Sequence, residues 1–79
     1  MIKNIEYSII TFRSTSSAMA AEEYFKLNSV PGRIIPLPGS ISAGCGLAWR
    51  MLPSEYEKIK DNLSIDGIEG VHIIKMKAI

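Results

Sequence analysis

The chain has 79 residues, a net charge of +1 at neutral pH and a hydrophobic fraction of 47%. This length predicts one small domain over residues 1–79, and the hydrophobic fraction is high enough for a packed core, which excludes a disordered chain. The near-neutral charge disfavours nucleic acid as a partner, because nucleic-acid-binding domains are usually distinctly basic. No apolar run approaches the roughly 20 residues that a membrane helix requires, so no membrane partner is expected.

The first half of the chain has the pattern of a strand followed by a helix. Residues 5–12 are rich in β-branched and aromatic side chains, which predicts a strand. The hydroxyl groups of residues 14–17 can accept hydrogen bonds from the free N–H groups of a helix start. A helix is predicted over residues 18–27, where apolar side chains recur at helical spacing, and Asn28 is a suitable end.

The second half begins with two short predicted strands and a helix. The strands cover residues 32–37 and 46–51. Pro36 places the first of them at a sheet edge, because proline cannot donate a hydrogen bond to a neighbouring strand. Ser54 and Glu57 match a capping box, which predicts that a short helix starts there.

The last strand is predicted over residues 71–76, after a turn bracketed by Gly67 and Gly70, and Lys75 and Lys77 suit an exposed sheet edge. The order β-α-β-β-α-β predicts an α+β, ferredoxin-like fold. This fold has a four-stranded antiparallel sheet of order 4-1-3-2 with both helices on one face. The strand with the proline and the strand with the lysines then occupy the two edges, as their sequences require.

Cys45 is the only cysteine of the sequence, and a glycine flanks it on each side. A single cysteine excludes an internal disulfide, a CxxC redox pair and an all-cysteine zinc site, and we predict neither a metal nor a cofactor. The N-terminus lacks the apolar stretch of a signal peptide, so we expect a cytoplasmic, reducing location, in which a free thiol persists.

The predicted topology brings the start of the third strand, with Cys45, next to the start of the first helix. A helix N-terminus carries a positive partial charge, and Arg13 adds a full charge, so both favour the thiolate, which is the reactive form of cysteine. The flanking glycines allow the backbone of a partner to approach closely. The candidate binding residues are Arg13, Ser14, Thr15, Gly44 and Gly46. The alternative is that Cys45 is only a small residue at the mouth of a hairpin.

Three segments of the sequence also carry a resemblance to a known family. They are Thr11-Phe12-x-Ser14-Thr15, Ala18 with Ala21-Glu22, and Ser42-x-x-Cys45-Gly46-Leu47-Ala48-x-Arg50. The sequence resembles the selenium/sulfur carrier protein-like family of small bacterial and archaeal domains over nearly its whole length. The Cys-Gly-Leu-Ala-x-Arg segment is the most specific part.

The resemblance implies that the chalcogen is carried at the position of Cys45. Together with the isolated, glycine-flanked thiol beside a predicted anion site, this predicts a carrier that holds sulfur or selenium on Cys45 as a persulfide or selenopersulfide. Such a protein would be a substrate-like shuttle without a catalytic base, which favours a non-catalytic carrier over an enzyme. The implied partners are sulfur or selenium donor and acceptor enzymes.

Two further residues have competing interpretations. His72 is the only histidine, but the first strand is expected to separate it from Cys45, which disfavours a Cys–His nucleophile pair. Arg50 lies roughly 16 Å along the third strand from Cys45. We expect Arg50 to form an ion pair with Glu6 or Glu57 rather than to contact a partner protein.

Two other classes of function fit the same sequence. One is a small-molecule-binding or regulatory module of ACT-like form, in which Cys45 is incidental. The other is an interaction domain that forms a homodimer through the open sheet face. That face is expected to expose Ile10, Phe12, Ala48 and Ile74, since exposed apolar patches often mark self-association.

Overall fold

A computed structural model describes residues 3–42, 45–63 and 65–77. Within these residues the strands are β1 (Asn4–Phe12), β2 (Arg33–Pro36), β3 (Leu47–Met51) and β4 (Ile68–Lys77). The helices are α1 (Thr15–Leu27) and α2 (Pro53–Ile59), and a 3₁₀ turn (Lys60–Asn62) follows α2. No helix in this part of the chain is long and apolar enough to cross a membrane.

The four strands form one antiparallel sheet in the order β2-β3-β1-β4. This order is the predicted 4-1-3-2 counted from the other edge, so the predicted fold class is confirmed. Pro36 lies on the edge strand β2, and the exposed Lys75 and Lys77 lie on the edge strand β4. Residues that cannot or should not pair with a further strand therefore occupy both edges.

One face of the sheet packs against helix side chains. We call this group the main cluster, and its buried members are Ile10, Phe12, Ala18, Ala21, Phe25, Trp49 and Met51. Helix α1 contributes three of these side chains, and Tyr56 and Ile59 of α2 pack against the cluster. The rings of Phe25 and Trp49 lie 4.6 Å apart, which joins α1 directly to β3. Aromatic contacts of this kind supply a large share of the energy of a small core.

The opposite face of the sheet is covered by the chain that follows β2. The Ile41 N–H donates to the Pro38 carbonyl at 3.0 Å, and this turn directs the Ile41 side chain to the sheet. There Ile41 forms a second buried group with Tyr7, Ile9 and Ala48, which we call the loop cluster. The central strand β1 is therefore buried on both faces from Tyr7 to its end.

This arrangement corrects the expected open face. Ile10 and Phe12 belong to the main cluster, whereas Ala48 belongs to the loop cluster together with Ile41. Ile74 is half-buried against the loop cluster. The prediction that these four side chains share one exposed face is wrong, because successive residues of a strand point to opposite faces and a one-residue error exchanges them.

Helix α1 begins at Thr15, three residues before the predicted start. Ser14 is its N-cap, and the Ser14 Oγ accepts a hydrogen bond from the Ser17 N–H at 3.1 Å. A hydroxyl does cap the helix, as expected, but the following serines lie inside the first turn rather than before it.

Helix α2 begins at Pro53, with Leu52 as an N-cap that makes no side-chain hydrogen bond. The predicted capping box at Ser54 and Glu57 is therefore wrong. Proline at the first helical position has the φ angle of a helix already, and its missing N–H would have had no partner inside the helix. Pro53 thus starts the helix one residue before Ser54 and places Ser54 within it.

Strand β4 begins earlier than predicted and includes Gly70. Just before it, Gly67 has a φ of +91°, and its carbonyl accepts a hydrogen bond from the Arg13 N–H at 2.9 Å. A Cβ at Gly67 would collide with the Cβ and Oγ of Ser17. This glycine therefore allows the chain before β4 to close against the first turn of α1.

We expect Gly67→Ala to lower the free energy of unfolding by about 2 kcal/mol, because it adds left-handed backbone strain to a steric collision. Urea unfolding followed by circular dichroism measures the change. Gly39→Ala is the matched control, since no heavy atom lies within 4 Å of its added Cβ. The control should change the stability by less than about 0.5 kcal/mol. Equal losses in the two variants would contradict the close approach at Gly67.

We expect Ile41→Ala to lower the free energy of unfolding by about 2 to 3 kcal/mol, because it removes most of a buried side chain from the loop cluster. The control is Ile73→Ala in β4, where the isoleucine is 55% exposed. The control should lose less than about 1 kcal/mol, which is the range of strand propensity. A smaller loss for Ile41→Ala than for Ile73→Ala would show that the loop does not cover this face in solution.

Candidate functional site

Cys45 lies two residues before β3 and is half-buried, with its side chain packed against the main cluster. Its side chain turns back, so that the sulfur contacts the backbone of Leu47 two residues later. The Sγ lies 3.4 Å from the Leu47 N–H nitrogen and 3.4 Å from the Leu47 carbonyl oxygen. The thiol can donate to the carbonyl, and the Leu47 N–H donates to the sulfur. The N–H remains available to the sulfur after its proton is lost or replaced by another atom.

Gly46 shapes the approach to this sulfur. It is exposed, has a φ of +77°, and has no heavy atom other than its chain neighbours within 4 Å of the position that a Cβ would take. A residue with a side chain rarely adopts this conformation, so the glycine permits both the turn and the open space. Gly44, the other flanking glycine of the prediction, lies outside the described residues.

The strand register places Cys45 and the start of α1 at the same end of the sheet. Thr11 and Ala48 are the last partners of the β1–β3 ladder at this end. The chain leaves β1 one residue after Thr11 and enters β3 one residue before Ala48. The two segments that carry the predicted site residues therefore lie at the same end of the sheet.

The three predicted residues on the helix side are exposed, and two of them already have backbone or capping roles. The Arg13 N–H binds the Gly67 carbonyl, and the Ser14 Oγ binds the Ser17 N–H. In the described part of the chain, the hydrogen bonds of the Cys45 sulfur go to Leu47, and none reaches Arg13, Ser14 or Thr15. Their action on the sulfur stays a prediction.

His72 lies on β4, where its Cα is the partner of Ile9 in β1, and its side chain is exposed. Strand β1 separates β4 from β3, so His72 is two strands away from the strand that follows Cys45. A nucleophile and its base must lie within hydrogen-bond reach. The topology thus disfavours a Cys–His pair, as the sequence predicted.

Arg50 does not form the predicted ion pair among the described residues. It is 7% exposed, and its guanidinium carbon lies 4.7 Å from the centre of the Tyr7 ring. Neither of the expected carboxylates, Glu6 and Glu57, forms an ion pair with it in the described structure. Glu6 is adjacent to Tyr7 in β1 and so points to the opposite face of the sheet.

Glu57 is engaged elsewhere. Its carboxylate binds the Lys60 Nζ at 2.7 Å. The hydrogen bond from Lys60 to Glu57 and the charge of that carboxylate raise the pKa of Lys60 above its usual value. The prediction that Arg50 pairs with one of these carboxylates is therefore wrong. Nothing in the local sequence would have shown that Arg50 is buried without a carboxylate.

Within the described residues, no group of three histidine, cysteine, aspartate or glutamate side chains is placed to hold a metal ion. The chemistry-bearing side chain at this end of the sheet is therefore a single half-buried thiol, beside an exposed glycine and the start of a helix. These features define a small α+β protein with one cysteine at the end of its sheet.

A protein-family model described as "Putative Se/S carrier protein-like" matches residues 6–75, a span that includes Cys45. The match covers well over half of the chain, so the chain belongs to this family, and the resemblance found in the sequence is confirmed. Comparisons with curated proteins and with solved structures gave no match.

Proposed function

We propose that the protein is a sulfur or selenium carrier in which Cys45 holds the chalcogen as a persulfide or selenopersulfide. The observation that carries the proposal is the half-buried sulfur of Cys45 next to the open space at Gly46. A buried thiol would be inert, whereas a partly accessible one can exchange with a partner and still be shielded on one side. Membership of the carrier-like family supports the choice of cargo.

The loading step is an exchange without net oxidation or reduction. The Cys45 thiolate attacks the outer sulfur of a cysteine persulfide on a donor enzyme, and a new S–S bond forms at Cys45. The S–S bond of the donor breaks, and the donor leaves as a thiolate. With selenium, the attacked outer atom is selenium and the bond formed is S–Se. Delivery is the same exchange, in which a thiolate of the acceptor enzyme attacks the outer atom and Cys45 leaves.

The backbone of Leu47 supports both states of the sulfur. Its N–H points at the Sγ at 3.4 Å and can donate to a thiolate or to a sulfur that carries a second atom. The terminal atom of a persulfide is itself an anion at neutral pH, so it also needs positive surroundings. On the helix side, Arg13 supplies a full positive charge, and the exposed Ser14 and Thr15 hydroxyls beside it can donate hydrogen bonds to the terminal atom.

The proposal requires no base within the carrier. Donor and acceptor enzymes supply the activated persulfide or thiolate, so the carrier only has to present its sulfur. The open space at Gly46 fits this role, since the active-site loop of a partner must reach the Cys45 sulfur closely. These partners, and a reducing, cytoplasmic location in which the thiol persists, are part of the proposal.

We expect Cys45 to gain the mass of one sulfur atom when the protein is incubated with a cysteine desulfurase and cysteine. With a selenocysteine lyase and selenocysteine, it should gain the mass of one selenium atom. Intact-protein mass spectrometry detects both adducts, and peptide mapping places them on Cys45. A reductant should release the adduct as sulfide or selenide, which distinguishes it from an oxidised cysteine.

Cys45→Ser is the control for this experiment, because it removes the only thiol of the chain. It should gain no mass under either condition. If wild-type protein also gains none while an established carrier protein is loaded in the same mixture, the carrier function is wrong.

We expect Arg13→Gln to slow the loading of Cys45 by up to about fivefold at low salt, the effect of losing an exposed charge contact worth about 1 kcal/mol. The difference should shrink as salt is added, because salt screens exposed charges. Arg33→Gln is the matched control, since it removes an exposed arginine at the other end of the sheet. Equal loading rates for the two variants would show that Arg13 does not act on the terminal atom.

A further inference from the structure

A cavity of about 420 Å³ opens at the end of the sheet opposite to Cys45, where β1 and β2 begin and β3 ends. Its walls include the apolar side chains of Ile5 and Leu52 and the ring of Tyr7. Two arginines, Arg33 and Arg50, also line it. Cavities of this size, mostly apolar and with a few polar groups, are typical of small-molecule sites.

Arg50 is the buried charge of this cavity. Only 7% of the residue is exposed, and its Nη1 atom is shielded from solvent and has no hydrogen-bond partner among the described residues. A buried cation normally has a carboxylate or several acceptors around it, since removal from water strongly disfavours an isolated charge. The Tyr7 ring, 4.7 Å away, offers only the partial negative charge of its face. The Arg50 guanidinium therefore has no anionic partner among the described residues.

Arg33 adds a second positive charge to the same cavity. Its Cα is the ladder partner of Arg50, so the two side chains leave the same face of the sheet from neighbouring strands. Like charges directly opposite each other destabilise a sheet, unless an anion lies between them. All ion pairs found in the described residues involve lysines, and neither arginine takes part in one.

Glu55 also lines the cavity, but its carboxylate binds the Lys58 Nζ at 3.2 Å. It is therefore not the counter-ion of either arginine. Its negative charge at the same cavity opposes ligands with several negative charges, such as phosphate. Ile5, Leu52 and Tyr7 favour a ligand with an apolar body.

We propose that this cavity binds a small organic carboxylate. The carboxylate accepts hydrogen bonds from the guanidinium of Arg50, Arg33 provides the second positive charge, and the apolar body of the ligand packs against Tyr7 and Leu52. Because Nη1 is shielded, the carboxylate would bind the edge of the guanidinium formed by Nε and Nη2, which matches a carboxylate with two parallel hydrogen bonds. The site lies at the end of β3 opposite to Cys45, so it is separate from the proposed carrier site and does not depend on it.

The probe is benzoate, compared with its uncharged analogue benzamide and with inorganic phosphate, in a titration followed by amide NMR spectra. Benzoate should shift the signals of residues 32–33 and 50–52 until they saturate. Benzamide should bind at least about tenfold more weakly, because it lacks the charge that pairs with the buried guanidinium. No saturable shift with benzoate, equal binding of benzamide, or tighter binding of phosphate would each overturn the proposal.

Arg50→Met keeps an unbranched side chain and removes the charge. It should weaken benzoate binding at least about tenfold and raise the melting temperature, because an apolar side chain replaces an unpaired buried charge. Arg33→Gln changes only an exposed residue and should weaken benzoate binding about threefold. This second variant still tests the proposal if Arg50→Met does not fold.

Arg13→Gln is the matched control at the other end of the sheet, and it should leave benzoate binding unchanged. Cys45→Ser should also leave it unchanged, so a failure of the carrier proposal and a failure of this one give different results. Unaltered benzoate affinity in both Arg50→Met and Arg33→Gln would show that the arginines do not bind the carboxylate.

Discussion

The antiparallel register between β1 and β3 is the constraint on which the rest of the structure depends. By pairing Ile10 with Trp49, it directs one set of side chains to the main cluster and the alternate set, including Arg50, to the other face. A slip of one residue would exchange the two faces of both central strands. The same register places the turn at Cys45 at the end of the sheet where α1 starts and leaves Arg50 at the far end. The thiol thus lies at one end of β3 and the buried arginine at the other.

Much of the fold could be predicted because its signals are local. Pro36 and the two C-terminal lysines marked the sheet edges, and the strand order follows once the edges are known. The helix boundary at α2 was harder, since Pro53 and the Ser54–Glu57 pair offer two starts that are two residues apart. The proline determines the start, because its backbone geometry is fixed before any side-chain hydrogen bond forms.

Two of the features that the sequence did not predict depend on contacts between distant segments. Ile41 covers the face of the sheet opposite to the main cluster, and no local pattern indicates which face a loop will cover. The sequence offered Glu6 and Glu57 as partners for Arg50, but Glu6 points to the other face of the sheet and Glu57 pairs with Lys60. For the candidate site, the place of Cys45 just before β3 was predictable from the strand pattern. The backbone contact of its sulfur with Leu47 was not, because it depends on the left-handed turn at Gly46.

The two ends of β3 also differ in how their charges are solvated. At the Cys45 end, Arg13 is exposed, so its field is weakened by water and salt and suits brief encounters with a partner. At the other end, Arg50 is buried without an ion pair among the described residues, which is unfavourable for stability. Sequences usually depart from such packing rules at functional positions, where a ligand completes the set of contacts. A carboxylate entering that cavity would therefore stabilise the fold itself.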